Sequence, residues 1–409
     1  MLDFFQGKTI LITGHTGFKG SWLSVMLEMA GAKVIGYALK PPQGVNLFGL
    51  SHAAEGMVSI EGDVRDYRGL KAAFEKYHPE LAIHMAAQPI VRESYKNPRG
   101  TYETNVMGTV NLLECVRETS GVASVLNVTT DKVYENKEWT WGYRETDPLD
   151  GYDPYSNSKS CSELATHSYK KSFLDGKQVP VSTARAGNVI GGGDFAKDRI
   201  IPDCVRAALS HQPILVRNPS SVRPFQHVLE PLKAYLMILE QQMQAPEKQG
   251  YYNVGPGEEG CVSAGRLADL FCQYWQDGVT WENTSGRSSG ESHQAVSQKL
   301  NPSIIGGQSS GGSSGDAHEA ISLRTGCPNI KGKRTSGNSG EPHEAAFLKL
   351  DCSSIKSRIG WQPRWQIGQA VEKTVEWFRV YESHGNVRDC MEQQIREFLM
   401  EGPNGLEIV

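Results

Sequence analysis

The chain has 409 residues, enough for two to four domains or for one large core carrying a smaller lobe. Its 42 basic and 46 acidic residues leave a net charge of -4, so no long-range field of one sign draws it to nucleic acid or an anionic membrane, while a small anionic ligand stays within reach. The start, MLDFFQGKTILITG, lacks a cationic stretch followed by a long apolar run, and nowhere do 18 uncharged apolar residues follow one another, which predicts a soluble, cytoplasmic chain. Cysteines 115, 161, 204, 261, 272, 327, 352 and 390 form no CxxC pair and suit reduced, inert thiols better than a disulfide frame or structural zinc.

In chain order, Thr9 to Thr13 (TILIT) is apolar and β-branched, as a fully buried parallel strand requires. Glycines follow, then SWLSVMLEMAGA with apolar residues at helical spacing, then a strand KVIGYAL that ends in Lys40-Pro41-Pro42. Further strands are expected at MVSIEG, LAIHMAA, SVLNVTT and VSTARAGNVI, with helices at DYRGLKAAFEKY and TYETNVMGTVNLLECVRE between them. This alternation predicts an α/β fold, a doubly wound parallel Rossmann-type sheet over residues 1–190. Beyond it the rhythm becomes irregular: a Gly191-Gly192-Gly193 turn, a helix near IIPDCVRAALS and short strands around PILVRN and YYNVG. Residues 191–283 and 341–409 are therefore expected to form a smaller C-terminal α/β substrate lobe that ends in long amphipathic helices.

Residues 284–340 are rich in Gly and Ser, offer little to bury, and are expected to be flexible. They carry a repeat in which His293, His318 and His343 fall 25 residues apart, each in a related string, and Ile305, Ile330 and Ile355 follow at equal offsets. Three tandem copies are the natural reading. Each copy is too poor in core residues to stack as a solenoid, and the histidines lack the ligand cage of a metal site, so no metal is expected.

Thr13-Gly14-His15-Thr16-Gly17-Phe18-Lys19-Gly20 lies between a buried strand and an amphipathic helix, where glycines let the backbone approach a pyrophosphate met by N–H groups at the helix start. Asp63 and Val64 follow a strand, with Asp63 suited to accept from an adenine amino group, and Ala86-Ala87-Gln88 ends the strand expected to flank the cofactor. The acidic residue that normally binds the ribose is missing, since the corresponding segment reads Tyr37-Ala38-Leu39-Lys40, where Lys40 is either a partner for a 2′-phosphate or a solvated charge. Tyr155 and Lys159 stand at i and i+4 on one helix face, and Thr129-Thr130-Asp131-Lys132 closes the preceding strand. A nearby ammonium and the cofactor's charge are expected to lower the tyrosine pKa, so that its oxygen takes a proton from an alcohol as hydride leaves.

These residues resemble the extended short-chain dehydrogenase/reductase family through the TGxxGxxG string, Asp63-Val64, Ala86-Ala87, Asn105, and Tyr155 with Lys159. Longer strings, GHTGFKGSW from Gly14, Thr130-Asp131-Lys132, RAGNVIGGGD from Arg185, Asp198-Arg199 and Arg217 through Pro231, are similar to its CDP-glucose 4,6-dehydratase branch. The resemblance spans the chain except residues 284–340. It implies NAD as cofactor, held by Gly14, Gly17, Phe18, Lys19, Gly20, Asp63, Val64, Ala86, Ala87, Gln88, Asn105, Thr129, Tyr155 and Lys159. It implies a hydro-lyase that turns CDP-glucose into CDP-4-keto-6-deoxyglucose with its hydride recycled, on the way to deoxysugars of surface polysaccharides such as O-antigen, and a homodimer or higher homo-oligomer. In that chemistry Tyr155 is the base for C4 oxidation, Lys159 holds the ribose, Thr130 bonds O4, and Asp131 protonates the departing C6 hydroxyl. Lys132 stands where related dehydratases carry a Glu as C5 base, and acts as one only if burial or a neighbouring cation lowers its pKa. The nucleotide diphosphate falls to Asn188, Arg199, Arg217, Arg223 and His343, with guanidinium forks matching phosphate oxygens; the third repeat copy is expected at the site and the first two are expected to be extruded. A nucleotide-sugar 4-epimerase, which needs no acid and base at Asp131 and Lys132, and a catalytically silent nucleotide-binding protein are the alternatives.

Overall fold

The apolar runs form strands, and their alternate residues feed two cores. In the computed structural model, which describes residues 2–284 and 347–400, β1 (Thr9–Thr13), β2 (Lys33–Ala38), β3 (Val58–Glu61), β4 (Leu81–His84), β5 (Ser124–Thr130), β6 (Val181–Ala186) and a later strand, Tyr251–Val254, build one parallel sheet. Ile10 and Ile12 of β1 face a core with Trp22, Leu23 and Met26, whereas Leu11 faces the opposite layer with Leu70, Phe74, Leu112 and Leu113. Helices cover both faces because period-2 strands are apolar on both sides. The sheet order, from the Tyr251–Val254 edge, is β6-β5-β4-β1-β2-β3, so the chain reverses direction of travel after β3 and opens a crevice between β1 and β4 at the strand ends.

Two expected elements divide differently. VSTARAGNVI is not one strand: it leaves the main sheet at Gly187, where an added Cβ would sit 3.1 Å from the Pro224 side chain, and continues as β7 (Asn188–Ile190). A second sheet follows, in which β9 (Val222–His227) lies between β7 and β11 (Cys261–Ser263), while β8 (Ile214–Val216) pairs with β12 (Trp281–Asn283). The YYNVG segment, expected in the smaller lobe, is β10 (Tyr251–Val254) and pairs in parallel with β6 at the edge of the main sheet. The helix expected over Thr101 to Glu118 contains a widened turn at Glu103–Met107, which swings the Asn105 side chain toward Gln88. Among the described residues no helix is long and apolar enough to cross a membrane, and seven cysteines are free thiols.

Candidate active site

Gly14 ends β1 with φ +80°, and a Cβ there would lie 2.8 Å from the Ala86 backbone. A Cβ on Gly20 would lie 2.3 Å from the Gly14 carbonyl oxygen. Strand tip and helix start therefore meet backbone to backbone, and only glycine permits it. Thr13 ties the floor together: its Oγ1 accepts from the amides of Met85 and Ala86 at 3.1 Å and bonds His84 Nδ1 at 2.7 Å. The helix Phe18–Met29 begins at Gly17 without a side-chain cap, leaving its first N–H groups turned to the crevice. This uncapped start in a cradle bare of side chains fits the diphosphate of a dinucleotide.

The adenosine end departs from expectation. Asp63 is engaged by Arg65, which donates from its backbone N at 2.9 Å and from Nη2 at 2.5 Å, and this hydrogen bonding holds the carboxyl below its ordinary range. Lys40 pairs with Glu61 at 3.5 Å, so it is not a lone cation waiting for a 2′-phosphate. Asn105 spends both ends on protein, accepting from Gln88 N at 2.8 Å and donating to Ser158 Oγ at 2.9 Å; it fixes the Gln88 turn to the neighbouring helix. His15 is a contributor that composition and motif did not single out. It is fully buried, its Nε2 is 2.8 Å from Ser59 Oγ, and burial lowers its pKa to about 4, so the ring is neutral. Its signal was Gly36 in mid-strand, where a Cβ would come 2.3 Å from the His15 ring.

The helix Pro154–Tyr169 starts with Pro154 in its first turn and Asp153 as cap, whose Oδ1 accepts from Ser156 N at 3.0 Å. This start places Tyr155 and Lys159 over the end of β5. Lys159 is buried and donates to the Val128 carbonyl at 3.1 Å, and burial lowers its amine to about 8. Tyr155 lies beside Thr130, Asp131, Lys132 and Arg199. Thr130 in turn donates to Asp131 Oδ1 at 3.0 Å, and Lys132 Nζ reaches the same oxygen at 3.0 Å and Asn188 Oδ1 at 3.1 Å. Asp131 is completely buried and its Oδ2 has no hydrogen-bond partner among the described residues.

In the chain alone, the Tyr155 phenol is raised above its ordinary pKa. Burial pushes the phenol upward, and the cations that pull against it are Lys132 and Arg199, not Lys159. Lys19, half-buried at the start of its helix, faces Arg199, Asp131, Lys159 and Lys132; burial, then Arg199, lowers its amine to about 7. Lys19, Lys132, Lys159 and Arg199 thus gather near Asp131, with Asp194 paired to Arg199 and Glu163 acting on Lys159.

The structure gathers Tyr155, Thr130, Asp131, Lys132, Lys159, Lys19, Asn188 and Arg199 at one place, with Arg199 held by Asp194 at 2.8 Å. Arg217 is exposed and joins Arg92 on Asp198, at 3.3 and 3.1 Å. Arg223 is buried on β9, where its Nη1 donates to the Val222 carbonyl at 2.9 Å. Val64 is buried under Gly108, Phe18 packs near Gly191, and Thr129 donates to Glu163. His343 and the expected flexible repeats lie outside the described residues.

A model of the GDP-mannose 4,6 dehydratase family matches residues 11–302. A CDP-glucose 4,6-dehydratase of Salmonella typhimurium is 38% identical over 406 residues, covering 97% of this chain and 98% of the relative. A probable dTDP-glucose 4,6-dehydratase of Sinorhizobium fredii is 28% identical over 269 residues, 61% of this chain and 72% of that one. In fold, the chain is similar to dTDP-glucose 4,6-dehydratase from Bacillus anthracis in complex with NAD, with TM-score 0.66 and 20% identity over 93% of this chain and 99% of that one. UDP-glucose 4-epimerase from Thermotoga maritima gives TM-score 0.67 and 18% identity over 91% and 99%. Profile, near full-length identity and the assembled Tyr155, Lys159, Thr130, Asp131 and Lys132 agree: the chain belongs to the nucleotide-sugar 4,6-dehydratases of the extended short-chain dehydrogenase/reductase family.

Proposed function

We propose that the protein converts CDP-glucose to CDP-4-keto-6-deoxyglucose, using NAD. The observation that carries the reading is the Asp131–Lys132 pair, 3.0 Å apart, with Thr130 donating to the same Asp131 oxygen and Tyr155 beside them. A 4-epimerase has a use for the tyrosine and the lysine but none for an acid and an amine at the strand tip. Bound NAD supplies a reversible hydride acceptor at C4 and later a donor at C6. The chain's residues handle the protons. Tyr155 takes the O4 proton, which requires its phenolate, and Lys159 anchors the ribose. The C5 proton, acidified by the adjacent ketone, goes to Lys132 from the state in which that amine is neutral, and Asp131 protonates the C6 hydroxyl so that it leaves as water. Gly14, Gly17, Phe18, Lys19 and Gly20 hold the diphosphate of the cofactor, with Val64, Ala86, Ala87 and Gln88 lining the adenosine and nicotinamide sides. Asn188, Arg199 and Arg217 hold the CDP moiety. The product belongs to deoxysugar supply for surface polysaccharide, made in the cytoplasm by a homo-oligomer.

Incubating the full chain with NAD and CDP-glucose tests the reading. Formation of a 4-keto sugar, seen by the absorbance it develops in alkali, is expected. A CDP-hexose epimer without that absorbance would replace the reading by the epimerase, and bound but unchanged substrate by the silent binder.

A further inference from the structure

We propose that Arg92 is a ligand of the substrate's diphosphate, and that Asp198 holds Arg92 and Arg217 together until that diphosphate takes them over. The proposal rests on the nucleotide-sugar reading, which already gives Arg217 to the CDP moiety, and adds to it a second guanidinium and the carboxylate that competes for the pair.

Three segments distant in sequence supply the cluster. Gln88 closes the turn after β4, its Oε1 accepting from Ile90 N at 2.7 Å and its Nε2 donating to Thr101 Oγ1 at 2.9 Å, and this turn starts the helix Val91–Lys96 that carries Arg92. That helix packs against Pro154–Tyr169, the helix of Tyr155 and Lys159. Asp198 precedes Arg199, one of the cations beside Tyr155, and Arg217 follows β8. Arg92 Nη1 donates to Asp198 Oδ1 at 3.1 Å, and Arg217 Nη2 donates to the same oxygen at 3.3 Å. Two guanidinium groups from different parts of the fold thus converge on one anionic oxygen, next in the chain to a group at the candidate catalytic tyrosine.

The contact is one that exchanges easily. Each arginine gives Asp198 a single N–H, although a guanidinium can donate through a two-pronged fork. The side chains of Arg92, Asp198 and Arg217 are 47%, 41% and 59% exposed, and ion pairs this open to water stabilise little. Two arginines and one aspartate leave the cluster cationic with its own carboxylate in place. A diphosphate carries a negative charge on each phosphate and oxygens enough for both forks, so it replaces two single contacts by paired ones. Asp198 keeps the like-charged arginines together beforehand and is released to water when they turn to the phosphates. Its backbone is left-handed, with φ +61°, a conformation that Asp and Asn tolerate better than most side chains.

Calorimetry of CDP and of cytidine on the full NAD-loaded chain tests the exchange. Asp198→Asn keeps the shape and the backbone preference and removes the competing charge; it is expected to tighten CDP by about 3- to 10-fold and to leave cytidine unchanged. Arg92→Gln is expected to weaken CDP by about 10-fold, again with cytidine unchanged. In the Arg92→Gln background the gain from Asp198→Asn is expected to shrink, because one of the two guanidinium groups it frees is gone. All three side chains are open to water, so thermal midpoints are expected to stay at the wild-type value. CDP binding by Asp198→Asn no tighter than wild type would overturn the exchange, and wild-type CDP affinity in Arg92→Gln would remove Arg92 from the diphosphate. Loss of cytidine affinity in either variant would overturn the proposal too, assigning the cluster to the nucleoside. The readout needs no turnover and so separates from the dehydratase reading: a chain that shows this pattern with CDP yet forms no 4-keto sugar upholds the exchange and removes the dehydratase, and one that forms 4-keto sugar without the pattern does the reverse.

Discussion

At the scale of single residues, the site is made by what is left out as much as by what is present. Gly20 has no room for a methyl group, since its Cβ would stand 2.3 Å from the Gly14 carbonyl oxygen and 2.6 Å from the His15 Cα. Gly20→Ala is expected to push the helix start off the β1 tip and to abolish NAD binding, measured by quenching of tryptophan fluorescence, while the melting temperature falls only modestly. Unaltered NAD affinity would show that the cradle tolerates a side chain. Lys132 illustrates the opposite case, a residue whose role depends on a neighbour. Its amine is tied to Asp131 Oδ1 and Asn188 Oδ1, so its part in the chemistry depends on the carboxylate beside it.

At the scale of elements, the helix that carries Tyr155 and Lys159 is bolted to the sheet by a buried charge pair. Glu163, one turn beyond Lys159, receives Arg185 Nη2 at 3.0 Å and Thr183 Oγ1 at 2.7 Å, and Arg185 Nη1 reaches Tyr134 Oη at 2.8 Å. Removing one partner strands the other charge without water, a cost of about 3–5 kcal/mol. Glu163→Gln is thus expected to lower the thermal midpoint sharply and to reduce kcat through misplacement of Lys159; an unchanged midpoint would remove the pair from the stability of the fold. A second helix gives a pH signature. Glu230, in the first turn of Leu229–Gln244, accepts from the amides of Arg364 and Trp365 at 2.8 and 2.7 Å, yet burial raises its pKa to about 7 against the pull of those bonds, Lys233 and Arg364. A raised carboxyl pKa contributes stability that is full below about pH 4.5 and lost as pH rises through about 7. Glu230→Gln keeps the acceptor and is expected to flatten that fall, by up to about 3 kcal/mol in denaturant melts; parallel profiles would refute the assignment.

At the scale of the whole molecule, the triplicated segment meets the fold through its third copy. Leu348, Leu350, Cys352, Ile355, Ile359 and Trp361 are all buried, and the backbone between them bonds Tyr143 through Tyr143 N to the Lys349 carbonyl and Asp351 N to the Tyr143 carbonyl, each at 2.9 Å. The equivalent positions read Leu323, Thr325, Cys327, Ile330, Arg334 and Ser336 in the second copy and Gln298, Leu300, Pro302, Ile305, Ser309 and Gly311 in the first. Only the third carries an apolar side chain at all six, and a buried Arg or Gln without a partner would cost several kcal/mol. Deleting residues 289–338, two whole units, is expected to leave turnover and melting temperature as they are; loss of either would give the first two copies a part in the fold or the site.

Much of this was legible in the sequence, for a definite reason. Local periodicity and short-range spacing fix which segments are strands, where a glycine-rich turn precedes a helix, and that Tyr155 and Lys159 share a face, because each is decided within a few residues of chain. What the tertiary structure alone decided depends on distant partners. The pairing of Tyr251–Val254 with β6, the break at Gly187 that brings Asn188 to Lys132, and the engagement of Asp63 by Arg65 are contacts that periodicity does not register. The proton affinity of Tyr155 belongs with them, since burial outweighs the nearby cations and burial is a property of the assembled core.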